Sequence, residues 1–192
     1  MTKPTLNVWL FSATVALGLG GCASQQTSEQ TVETASETAA MQTATVAELY
    51  EVHHDGRIYF FYDRGLYEDF VKIGHTAYMV ARIGAGPKGE TLKYALTGAD
   101  KKKREGIPSI DLIEGKAQPA SPFYGEVRSE GRIYVFDQLE DMNAFRKVGE
   151  APYRFTQIGA GPKGETLVFV LNKTNKKEHP AALIEAFKQR NS

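Results

Sequence analysis

Cysteine is almost missing from this sequence: its 192 residues include one, Cys22. A single thiol excludes an internal disulfide and any zinc site built on several thiolates, in whatever compartment the chain resides. An excess of charge of either sign is missing too, since 23 Lys and Arg face 23 Asp and Glu. A stretch rich in one charge would be the footprint of a nucleic-acid surface, so no nucleic-acid partner is expected. The chain also lacks GxSxG and HExxH, the motifs that would place a nucleophile or a hydrolytic zinc. Apolar material is not scarce. At 42% hydrophobic and 10% aromatic residues the chain can build a core, so part of it is globular.

The first 22 residues read as an address. Lys3 and the α-amine supply positive charge, Val8 to Leu19 is mostly apolar, and Gly20 and Gly21 then precede Cys22. About 16 residues separate Pro4-Thr5 from the cysteine, short of the ~20 that a spanning helix needs. The run Leu19-Gly20-Gly21-Cys22 resembles the lipobox of bacterial lipoproteins. That resemblance implies a signal peptide over residues 1–21, cleavage before Cys22, and diacylation of its sulfur, so that the lipid bilayer becomes a partner. Ala23, in place of the aspartate that signals inner-membrane retention, implies the outer membrane, facing the periplasm. Each buried acyl CH₂ contributes ~0.8 kcal/mol, so several chains hold far more firmly than one. Loss of the leader leaves 22 basic against 23 acidic side chains.

From Ala23 to Ala47 the chain is Ser, Thr, Gln, Glu and Ala, with no Lys or Arg and almost no large apolar side chain. Such a composition cannot bury a core, and residues 22–47 are expected to form a disordered N-terminal tether. A flexible chain of that length has a root-mean-square span on the order of 25 to 30 Å.

Beyond it the sequence repeats. GRIY at Gly56 to Tyr59 returns at Gly131 to Tyr134, and IGAGPKGET at Ile83 to Thr91 returns at Ile158 to Thr166, both displaced by 75 residues. Glu51 to Lys102 aligned on Glu126 to Lys177 gives 24 identities in 52 positions without a gap, which marks a duplication. The expected fold class is α+β: two tandem ββαββ(α) repeats, residues 48–114 and 123–192, joined through 115–122 and packed with pseudo-twofold symmetry. Each repeat opens with a hairpin, around Asp55-Gly56 in the first and Glu130-Gly131 in the second. Leu139, Met142, Phe145 and Val148 then predict a short amphipathic helix, with Asp137 and Glu140 in capping-box spacing and Gly149 as its C-cap. The first-copy helix runs from about Leu66 to Ile73, with Phe70 inward and Gly74 at its end. Two further strands flank a Gly/Pro turn, Tyr78 to Ile83 and Leu92 to Thr97 in the first copy. A terminal helix follows Pro108 in one copy and Pro180 in the other. A lone four-stranded layer of this size is marginal, so the copies are expected to shield one another, as one sheet or as two facing layers.

The repeated Gly84 to Thr91 has the G-x-x-x-x-G-x-T spacing of a phosphate loop, but Glu90 stands where that loop needs lysine and a strand follows where it needs a helix. No nucleotide is expected, and the segment reads as a tight turn. In a functional version, Lys88, Glu90, Lys163 and Glu165 of the paired turns form an edge that contacts an envelope protein or other envelope component. His53, His54 and His75 are the alternative, a metal site in the first copy alone, because Arg128, Ser129 and Glu150 replace them in the second. The basic run Lys101 to Arg104 reads as a solvated loop, and Tyr59, Phe61, Tyr78, Tyr134, Phe136 and Tyr153 read as core. With no catalytic frame around the recurring carboxylates Glu51/Glu126 and Glu90/Glu165, the chain is expected to be non-enzymatic and to take no cofactor. Gly131, Tyr134 and Phe136, followed by Phe145 and Pro152-Tyr153, are similar to YHS-type modules, in which an aromatic hairpin precedes a short helix. The similarity covers about 20 residues of each half and implies shape alone, because the Cys and His ligands of that family have no counterpart here.

Overall fold

The computed structural model describes residues 46–191. The leader, Cys22 and the proposed tether lie outside them, apart from Val46 and Ala47. Twelve elements follow in order: β1 (Val46–His54), β2 (Arg57–Phe61), α1 (Arg64–Ile73), β3 (Met79–Arg82), β4 (Thr91–Ala95), α2 (Pro108–Ile113), β5 (Pro119–Ser129), β6 (Arg132–Phe136), α3 (Leu139–Val148), β7 (Tyr153–Gln157), β8 (Thr166–Leu171) and α4 (Ala181–Asn191). The fold is mixed α+β, with one eight-stranded sheet ordered β3-β4-β2-β1-β5-β6-β8-β7. Between the two arrangements open from sequence, the chain adopts the continuous sheet. β1 begins inside the stretch read as tether because Val46 is buried and pairs with Pro119, and β5 takes up the last residues of the expected joint for the same reason.

The sheet closes at its centre through β1 and β5, which run parallel with Tyr50 opposite Glu126 and Glu51 opposite Val127. On either side a hairpin joins β1 to β2 and β5 to β6. Both hairpins turn on two successive residues of positive φ, Asp55-Gly56 and Glu130-Gly131, the backbone hand that matches strand twist. β4 and β8 then add in parallel to β2 and β6, and β3 and β7 form the outer edges.

Strand alternation sorts the side chains onto two faces. Tyr59 and Phe61 of β2 pack with Tyr67 and Phe70 of α1, in one cluster with Leu183, Ile184 and Phe187 of α4. Ile58 and Phe60 point the other way, toward Ile107 and Ile110 of the α2 segment. In β6 the assignment is reversed: Ile133 and Val135 join the α1/α4 cluster, while Tyr134 and Phe136 meet Leu139, Met142 and Phe145 of α3. Thus α1 and α4 cover one face, and α2 and α3 the other.

Two details of the α3 expectation are corrected. The N-cap is Gln138 rather than Asp137, and it makes no side-chain cap hydrogen bond, so no capping box forms. Burial instead pushes the Asp137 carboxyl up, and among the described residues its Oδ1 has no hydrogen-bond partner. Val148 is not in the buried stripe but 67% exposed. A three-residue step turns a helix by about 300°, so after three such steps the side chain faces roughly away from Leu139. In the first copy Asp63 does cap, accepting from Leu66 N at 2.9 Å, which compensates for Gly65 in the first turn. Gly74 and Gly149 end their helices in the left-handed conformation, as glycine at C′ permits.

Candidate functional site

Two carboxylates lie entirely inside the central strands. Glu51 on β1 and Glu126 on β5 are both 0% exposed. They occupy equivalent places in the two hairpins, yet they face opposite sides of the sheet and find different partners. A buried carboxylate without donors would cost several kcal/mol, so each is surrounded.

Glu51 faces α3. Arg146 donates to its Oε2 from Nε at 2.9 Å and Nη2 at 2.7 Å, and His53 Nε2 lies 2.6 Å from Oε1. Burial pushes the Glu51 carboxyl up, but the Arg146 charge and the hydrogen bonds from His53 and Arg146 outweigh it and hold the group below the usual carboxylate range. Arg146 also spreads its guanidinium over the Phe60 ring, 4.9 Å from the centroid.

Glu126 faces α1 and α4. It accepts from the hydroxyls of Tyr67 and Tyr124, the latter at 2.9 Å, and from Asn191 Nδ2 at 3.3 Å. Arg128 Nε lies 3.4 Å away, donates to Tyr67 Oη at 2.5 Å, and sends Nη1 to Glu165 Oε1 at 2.6 Å. Burial, then the Glu126 charge, pushes both tyrosine hydroxyls well above their ordinary range, so they remain donors at any physiological pH. Above this cluster a cleft of about 280 Å³ opens between α1, α4 and the 158–165 loop, lined among others by Arg64, Tyr67, Lys72, Arg128, Lys163 and Arg190.

The four turn residues singled out in the sequence sit in two loops with the same internal construction. Glu90 Oε2 accepts from Lys88 N at 2.7 Å, and Glu165 Oε2 accepts from Lys163 N at 2.7 Å. The loops are not brought together. Residues 158–165 fold toward α1, where Lys163 Nζ lies 3.2 Å from Val71 O. Residues 83–90 fold toward α3 on the opposite face, where Ala85 and Pro87 border a cleft with Asn143, Arg146 and Lys147. Each loop therefore leans on the helix of the other half, and each lysine stands near the carbonyl end that attracts cations.

The glycine pattern of the repeated string follows from this construction. A Cβ on Gly161 would come within 2.6 Å of Glu165 Oε2 and 3.0 Å of Glu165 O. Gly161→Ala is expected to destabilise the chain by about 1–3 kcal/mol, as overpacking does, read as a lower urea midpoint with an unchanged slope. An unchanged midpoint would show that the loop relaxes freely.

The histidines do not converge. His53 is engaged with Glu51, His54 approaches Asp55 at 3.2 Å and the edge of Phe70, and His75 is exposed in the link after α1. Among the described residues there is no group of three or more His, Cys, Asp or Glu placed to hold a metal ion. Of the aromatics, Tyr59, Phe61, Tyr134 and Phe136 are buried as expected. Tyr78 is 42% exposed and Tyr153 half-buried instead. Tyr78 carries Lys101 over its ring at 5.1 Å, and Tyr153 carries Lys176 at 4.5 Å, which ties each basic loop to an edge strand.

Sequence reasoning identified Glu51 and Glu126 as recurring but not as buried, and it missed Tyr67, Tyr124, Arg128, Arg146 and Asn191. A signal was present: an acid kept in both copies within an apolar strand must have donors, and those are to be sought where the copies differ. At displacement 75, Arg146 is matched by Val71 and Tyr67 by Met142.

No family model, curated protein or solved structure matches this chain. Among the described residues no helix is long and apolar enough to cross a membrane.

Proposed function

We propose that this protein is a cell-envelope lipoprotein, held to the outer membrane on its periplasmic side through acylated Cys22, and that it displays a non-catalytic, duplicated domain that binds an envelope partner. The anchoring part rests on Leu19-Gly20-Gly21-Cys22 at the end of an apolar leader. The duplication rests on the 75-residue displacement, joined by a strand order that has corresponding strands at equal distances from its centre. A half-turn about an axis in the sheet, parallel to β1 and β5, accounts for both the parallel pairing and the exchange of faces between Tyr59 and Tyr134.

One observation carries the binding reading. Ile83 and Ile158, the first residues of the repeated string, are each 88% exposed. Nothing in the turn requires a large apolar side chain there, and leaving one in water in both copies forgoes about 1.5–3 kcal/mol of burial each. Ile73 and Val148, at the helix ends, form a second matched and exposed pair. Ile158 also borders an open groove of about 540 Å³ with Tyr134, Gly149 and Arg154. An exposed isoleucine beside a groove at Ile158, repeated in exposure at Ile83, supports a contact surface.

A photo-crosslinker at Ile83 or Ile158 of the lipidated chain in its native envelope is expected to capture a discrete partner. Ile83→Ser/Ile158→Ser should lower capture from a neighbouring position at least tenfold without moving the melting temperature. Capture at background level from both positions would refute the binding reading, and a Cys22 found unacylated by mass spectrometry would refute the anchor.

A further inference from the structure

We propose that the cleft between α1, α4 and the 158–165 loop is an anion site that takes a phosphate group. This goes beyond the partner-binding reading and does not depend on it, since the residues that line the cleft are not those that line the groove beside Ile158.

Charge makes the first part of the case. Arg64, Lys72, Arg128, Lys163 and Arg190 all line the cleft, whereas Glu68 is its one acidic lining residue. The arginines are held from behind. Arg64 gives Nε to Glu68 at 2.6 Å and Nη2 to Arg190 O, Arg190 gives Nε and Nη2 to Glu48 at 2.9 and 2.8 Å and Nη1 to Ala186 O at 3.0 Å, and Arg128 gives Nε to Tyr67 Oη at 2.5 Å and Nη1 to Glu165 at 2.6 Å. A guanidinium has five N–H donors, so these bonds orient Arg64 and Arg128 and leave Arg64 Nη1 and Arg128 Nη2 for a ligand, while Arg190, engaged at all three nitrogens, contributes its charge. Orientation settled before binding is what a phosphate fork requires.

The other half of the chain supplies an internal control. The opposite cleft has the same loop and the same last helical turn, with Pro87 and Lys147 where this one has Pro162 and Lys72, and it is larger, about 370 Å³. It has none of the arginine pair carried by α1 and β5: at displacement 75, Arg64 is matched by Leu139 and Arg128 by His53. Leu92 and Ile113 line it, together with Arg146, whose guanidinium is taken up by Glu51 and Asn143. Lys72 and Lys163 recur as Lys147 and Lys88, whereas Arg64 and Arg128 do not recur, so the repeated loop and helix end by themselves do not account for these arginines.

Size narrows the ligand. A volume of about 280 Å³ lies just below the usual range for drug-sized ligands, which suits a phosphate with a small body and is too tight for a nucleotide. The group can come from a soluble phosphate or from the headgroup of a phospholipid beside the anchor.

The test is calorimetric titration of inorganic phosphate into the full chain in neutral detergent micelles, at constant ionic strength set with chloride. Saturable binding of one phosphate per chain is expected. Arg64→Leu/Lys72→Gln should weaken it at least tenfold while its circular-dichroism melt stays within a few degrees of the parent, and Lys72→Gln alone serves if the pair perturbs folding. Repeating the titration in micelles containing phosphatidylglycerol, against phosphatidylcholine, separates the sources: competition assigns the headgroup, and its absence assigns a soluble phosphate. No saturable binding, or binding insensitive to the substitutions, overturns the proposal.

Discussion

Residues 46–116 expressed alone will give no cooperative unfolding transition, whereas the full chain will. The cut removes β5, leaving the long edge of β1 open from Glu48 to Val52, where Tyr124 to Arg128 had paired with it. It removes Leu183, Ile184, Phe187 and Tyr124 from the cluster around Tyr50, Phe61, Tyr67 and Phe70. Above all it removes Arg146, the main donor to Glu51. A buried charge stripped of its partner costs about 3–5 kcal/mol, a large share of the 5–15 kcal/mol by which whole domains are stable. Circular dichroism and tyrosine fluorescence through a urea gradient should show a broad, low-slope change. A sharp transition from a monomeric fragment would show that each half is self-sufficient.

Arg146→Ala in the full chain will have the largest effect of any single substitution on this face, about 3–5 kcal/mol at neutral pH, because Glu51 is left ionised without its guanidinium. The pH dependence follows from the sign of the Glu51 shift. Its folded-state value lies below the ordinary 4.5, so the stabilisation is complete above the unfolded-state value and is lost as pH falls through the lower folded one. The difference between parent and Arg146→Ala, measured as urea midpoints from pH 7 to pH 3, should therefore narrow in acid. Glu51→Leu/Arg146→Leu should recover much of the loss at pH 7, since apolar replacement of a buried pair is often near neutral. A constant difference across that range would mean that Arg146 acts through its packing on Phe60 rather than through Glu51.

The elements were legible because their signals are local. Alternating apolar residues mark the strands, Gly74 and Gly149 mark the helix ends, and Asp55-Gly56 and Glu130-Gly131 mark the hairpins. Where reading failed, a neighbour decided. Asp137 fits a capping box by spacing, but the helix is rotated to bury Leu139, Met142 and Phe145, and the cap position passes to Gln138. His53 reads as a free metal ligand until Glu51 is placed next to it on the same face. Lys88 and Lys163 read as one surface edge until their loops are seen to lean on opposite helices.

By itself the sequence determined the α+β class and the places of turns and helix ends, because each depends on residue type at short spacing, and it displays the strings GRIY and IGAGPKGET twice. The tertiary structure alone decided that β1 pairs in parallel with β5 in a single sheet, and that α1 and α3 consequently lie on opposite faces. It also decided which of two equivalent acids takes its hydrogen bonds from an arginine and which from tyrosines, and that one of two matched clefts is lined by five cationic side chains and the other by Arg146 and Lys147. Those outcomes depend on contacts between residues far apart in the chain, and a repeat written twice is silent about which face each copy turns to the other.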